Sequence, residues 1–77
     1  MVKPASAVRV ATLWEMSWEQ DRVSCVVYRR AQGLRLEIES PAGTILSEPF
    51  ELRPGTVARS QALRRSLQRR GWQDLPD

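Results

Sequence analysis

The stretch Arg22–Ser40, RVSCVVYRRAQGLRLEIES, decides the fold. Its first half is the most β-prone run in the chain. Val23, Cys25, Val26, Val27 and Tyr28 are β-branched, aromatic or compact apolar residues. Both faces of that run are apolar near its middle, the pattern of a central strand. Ala31-Gln32-Gly33 is a short connection with a glycine available for positive φ, so a hairpin is expected. Leu34, Leu36 and Ile38 then alternate with Arg35, Glu37 and Glu39, which predicts a strand with one dry face and one wet face. The dry face needs a cover.

Toward the C-terminus, Ser40-Pro41-Ala42-Gly43 carries turn chemistry. Thr44 to Leu52 reads as the next extended stretch, with Leu46, Phe50 and Leu52 as core contributors. Pro49 lacks a backbone donor, which makes this strand an edge or ends it at Glu48. After Arg53-Pro54-Gly55, Thr56 is an acceptable N-cap and predicts a helix from about Val57 to Arg70. Gly71 should stop it in a left-handed conformation. Trp72 would then be C″ and Leu67 C3, and the two should touch as in a Schellman stop. Leu63 and Leu67 centre a narrow apolar stripe, with Ser60 and Thr56 along it and Arg65 opposite. Arg59 and Arg70 fall near the stripe and should lay their methylenes across the sheet. So narrow a stripe does not stabilise a lone helix, so docking on the dry sheet face is expected, with Val57, Ala62 and Trp72 widening the contact.

Toward the N-terminus, Glu19-Gln20-Asp21 is a polar break. Val8, Val10, Thr12, Trp14, Met16 and Trp18 before it share one face at period two, which favours a strand. Val10, Leu13, Trp14 and Trp18 also match helical spacing, so residues 8–18 keep both readings. The expected fold is one α+β domain over residues 1–77, a small antiparallel β-meander in the order β-β-β-β-α, or β-β-β-α in the second case. The sheet spans 7–52, a C-terminal helix over 56–70 packs on one face, and 71–77 form a tail. Residues 1–6 are expected to be flexible.

Composition excludes several classes. Hydrophobic and charged fractions of 42% and 27% argue against disorder, collagen and coiled coil. No apolar run approaches the ~20 residues of a membrane helix. Met1-Val2-Lys3-Pro4 leads into no apolar signal segment, so a cytoplasmic protein is expected. The single Cys25 allows no internal disulfide and, inside its apolar run, reads as a buried inert thiol. Without histidine, no Ser-His-Asp or Cys-His arrangement is available within this chain. Glu37 and Glu39 share a strand face, whereas glycosidase chemistry needs acids on opposite sides of a substrate cleft, for which a chain this small has little room. They are expected to be solvated or paired with Arg22, Arg29 or Arg30. Gly33, Gly43, Gly55 and Gly71 are isolated turn residues that match no phosphate-binding loop. A non-catalytic protein without metal or cofactor is expected.

Charge distribution gives the remaining functional signal. The net charge is +3, yet residues 53–70 hold six arginines and no acid. An anionic partner is expected there, nucleic acid or an acidic protein, and no membrane. In the nucleic-acid reading Arg53, Arg59, Arg64, Arg65, Arg69 and Arg70 contact phosphates. Arg29, Arg30 and Arg35 extend the footprint, and Trp14, Trp18 and Tyr28 are the candidate stacking rings. Helix dipoles favour cations in the last turns without any ligand, and tryptophans in small proteins commonly serve the core. The alternative is a protein–protein interaction module or homodimer that uses an exposed sheet face or an edge strand. The element order over about residues 22–70 resembles that of sheet-and-helix nucleic-acid binders such as plant AP2-type domains and single-strand-binding coactivators. That similarity is in element order alone.

Overall fold

The computed structural model describes residues 8–51 and 53–75. The flexibility expected of residues 1–6 and the core role expected of Leu52 lie outside the described residues. The elements are β1 (Val8–Trp18), β2 (Asp21–Arg30), β3 (Gly33–Ser40), β4 (Gly43–Pro49), α1 (Pro54–Arg69) and β5 (Gln73–Asp74). The strands form one antiparallel sheet in the order β4-β3-β2-β1-β5, with α1 packed on one face. This is the expected α+β meander with one added strand.

The β2–β3 hairpin sorts the faces. Cys25 faces Ile38 and Val27 faces Leu36 on the helix side, while Val26 faces Glu37 and Tyr28 faces Arg35 on the other. The core holds Trp14, Met16, Val23, Cys25, Val27, Leu36, Ile38 and Phe50, with Leu34, Leu46, Leu63, Leu67 and Trp72 packed against it. Burial pushes the Cys25 thiol up to about 11, with the Glu48 carboxylate adding to it. The thiol therefore stays protonated and unreactive at neutral pH.

Residues 8–18 form a strand, but not with the uniform alternation that the sequence suggests. Its register against β2 shifts between Arg9 and Ala11 and again between Thr12 and Trp14. Each bulge adds a residue and reverses the phase. Arg9 and Thr12 thus lie opposite Tyr28 and Val26 on the open face, and Trp14 and Met16 opposite Cys25 and Val23 on the helix side. Thr12 therefore leaves the face of Trp14 and Met16, and Val8, opposite Arg29, returns to it beyond the second bulge; Val8, Val10 and Thr12 are all exposed.

The helix starts earlier than Val57. Arg53 is the N-cap and Pro54 stands at N1, where a fixed φ suits the first turn and no donor is lost. The Thr56 and Val57 amides donate to the Arg53 carbonyl at 3.0 and 3.2 Å. The C-terminal stop follows the sequence expectation. Gly71 has φ 103, its amide donates to the Gln68 carbonyl at 3.1 Å, and the Trp72 amide donates to Leu67 at 3.1 Å. Val57 and Ala62 do not widen the contact with the sheet; both are exposed. The segment after the helix is not a free tail. Gln73 and Asp74 pair with Ser17 and Met16, and the Leu75 amide donates to the Glu15 carbonyl at 3.0 Å.

Candidate cationic interface on the helix

The six candidate arginines divide into two sets. Arg53 pairs with Glu51 at 2.6 Å and Arg59 with Glu48 at 3.2 Å. Arg64 grips Asp74 through two nitrogens, the first at 2.9 Å, and Gln68 adds a donor at 3.2 Å. The Arg64 guanidinium holds the Asp74 carboxyl below the usual carboxylate range. Arg65, Arg69 and Arg70 are exposed and carry no ion pair among the described residues.

Placement follows from the helical advance of about 100° per residue. Ser60, Leu67, Arg64 and Gln68 turn toward β1 and β5, where the Trp14 indole donates to the Ser60 carbonyl at 3.1 Å and Asp74 receives Arg64. Arg59, Ser66 and Arg70 turn toward β4, where Arg59 meets Glu48. Arg65 and Arg69 lie between the two flanks, on the crest of the helix that points away from the sheet. The unpaired charge thus covers an arc of about 140° on the last two turns, from the crest opposite the sheet to the β4 flank.

The three candidate stacking rings are not brought together. Trp14 is buried with its N–H satisfied and offers no face to a ligand. Tyr28 lies on the opposite face of the sheet. Its hydroxyl donates to Glu39 at 2.8 Å, which raises its pKa, and Arg30 sits 4.9 Å above its ring. Trp18 is 45% exposed and leans on Trp72 with centroids 5.9 Å apart. It also flanks Gly71, where an added Cβ would stand 3.6 Å from the indole nitrogen.

The uncovered sheet face is polar, not the apolar patch that an interaction module would present there. Arg30 donates twice to Glu37, at 2.5 and 2.8 Å, and Ser47 donates to the same carboxylate at 3.3 Å. Arg35 in turn donates to Ser47 at 3.1 Å. Glu37 is 2% exposed yet remains ionised, because the Arg30 hydrogen bonds lower its pKa against the opposing effect of burial. Arg9 lies 3.9 Å from Glu39. Arg30 and Arg35 are held in this network on the face away from α1 and do not extend its cationic patch; Arg29 is exposed and carries no ion pair among the described residues.

One feature had no place in the sequence reading. Between α1 and β4 runs a groove of about 380 Å³ walled by Ile38, Ile45, Leu63, Leu67 and Trp72, with Arg70 on its rim. It continues past Val23, Ile45 and Trp72 into a second space of about 330 Å³ near Arg22. Ile45 is 64% exposed. The β3–β4 register shifts beside it, with Leu46 opposite Ile38 and Thr44 opposite Glu39. The bulge puts Ile45 and Leu46 on the helix side together. The signal was the adjacent pair Ile45-Leu46, two neighbouring apolar residues where a half-buried strand would alternate. No protein-family model matches this chain, and comparison with the curated proteins and with the solved structures returns no significant match.

Proposed function

We propose that the protein is a non-catalytic binding module that captures an acidic protein segment through Arg65, Arg69 and Arg70. The observation that carries this reading is the division of the arginines. Three are paired with Glu51, Glu48 and Asp74, while three exposed on the last two turns of α1 carry no ion pair among the described residues. Arg65 to Arg70 span only about 7–8 Å along the axis. That footprint fits a few carboxylates, with bidentate guanidinium contacts, better than a long phosphate backbone. Single-stranded nucleic acid is the second reading, favoured by the exposed Trp18 ring beside Gly71. A cytoplasmic setting goes with either, in keeping with the lone reduced thiol of Cys25.

Anisotropy titrations with a labelled Asp/Glu-rich peptide and a labelled oligothymidylate, from about 50 to about 200 mM salt, test the choice. The peptide should bind more tightly. Charge reversal at Arg65 and Arg69 should weaken it about tenfold or more, whereas Arg53→Ala should change it less than about twofold. Equal effects at Arg53 and Arg69 would reject this patch, and tighter oligothymidylate binding would move the reading to nucleic acid.

A further inference from the structure

The groove between α1 and β4 opens beside the exposed guanidinium of Arg70. Its floor is the buried Ile38, its walls are Ile45, Leu67 and Trp72, and Arg70 stands at its rim. A cavity of about 150 Å³ holds benzene, so about 380 Å³ admits a bulky side chain together with part of its backbone. The bulge in β4 matters here. Regular pleating would turn Ile45 away from Leu46, and the bulge instead brings an exposed isoleucine to the groove wall. An apolar wall held open beside guanidiniums is complementary to a chain that carries apolar and acidic residues together.

We infer that this groove seats one bulky apolar side chain of the acidic segment, so that the recognised motif is a leucine- or phenylalanine-type residue flanked by Asp or Glu. The inference rests on the acidic-segment reading above and adds its specificity. Carboxylates flanking the anchor would meet Arg70 at the groove, with Arg69 and Arg65 further round the helix, and Arg22 lies at the far end of the groove with Asp21 as its acidic neighbour. Burial of the anchor strengthens binding by about ten- to a hundredfold over a peptide of equal charge without it.

Two short synthetic peptides of identical charge, one with a central leucine and one with alanine there, titrated calorimetrically into the whole chain, test this. The leucine peptide should bind about ten- to a hundredfold more tightly. Ile45→Ser should erase that difference and leave the alanine peptide unchanged, and Arg70→Gln should weaken both. The Trp72 indole resonance should shift with the leucine peptide alone. Equal, salt-sensitive affinities for the two peptides would overturn the groove inference and leave the acidic-segment reading standing. Binding of neither peptide would overturn both. Because Ile45 is largely solvent-exposed, Ile45→Ser should fold, and its unfolding midpoint checks this independently of binding.

Discussion

On the flank of α1 that faces β1 and β5, Trp14 reaches the Ser60 carbonyl, Arg64 and Gln68 hold Asp74, and Trp18 leans on Trp72. On the flank that faces β4, Arg59 meets Glu48 near the start of the helix, and beyond it Ile45 and Arg70 border an open groove. The same helix is sealed on one side and left ajar on the other. What differs is a two-residue strand: β5 returns the chain to β1 and delivers Asp74 opposite Arg64, and the β4 side receives no such return. In the proposed reading, stability and recognition fall to different flanks.

Substitutions separate the two. Trp14→Ala strikes the sealed flank hardest, since it empties a buried ring site and strips a partner from Ser60, at about 3–5 kcal/mol. Urea unfolding measures this, and a loss no larger than that of Ile45→Ser would break the comparison. Gly71→Ala should cost roughly 1–2 kcal/mol. The added methyl meets Trp18 at ordinary contact distance, so the penalty is that of φ 103 rather than of crowding.

Acid sharpens the contrast. Asp74 and Glu37 both titrate below their ordinary range, because Arg64 and Arg30 favour their ionised forms. Their contributions are complete above the usual carboxylate range and vanish as pH falls through the lowered folded values. Asp74→Asn should therefore flatten part of the acid limb of a stability–pH curve, and Glu37→Gln another part. A limb unchanged by both would remove these pairs from the account. Ile45→Ser should be nearly silent, within about 0.5 kcal/mol, as expected of a residue the fold does not need.

Legibility followed the range of the interactions. The alternation of Leu34, Leu36 and Ile38 and the stop at Gly71 depend on residues a few positions apart, and both were readable. The helix start was misjudged because Thr56 and Arg53-Pro54 compete as caps, and the proline at N1 prevailed. The bulges of β1 depend on which residues of β2 lie opposite, information absent from local periodicity. Which arginines keep their charge was beyond reach for the same reason. Arg64 finds Asp74 only because Gly71 turns the chain back, and Arg59 finds Glu48 across the gap between helix and sheet. The groove needed both the bulge and the helix position, and only the Ile45-Leu46 adjacency hinted at it.

The bulges have a consequence for crowded solutions. β4 lies at one border of the sheet, and β1 beyond its short contact with β5 lies at the other; β4 carries one bulge and β1 two. Two molecules meeting border to border find donors and acceptors out of step, so no continuous ladder can zip between them. Concentrated samples should stay clear and resist fibril growth, and copies should meet, if at all, through side chains rather than backbone.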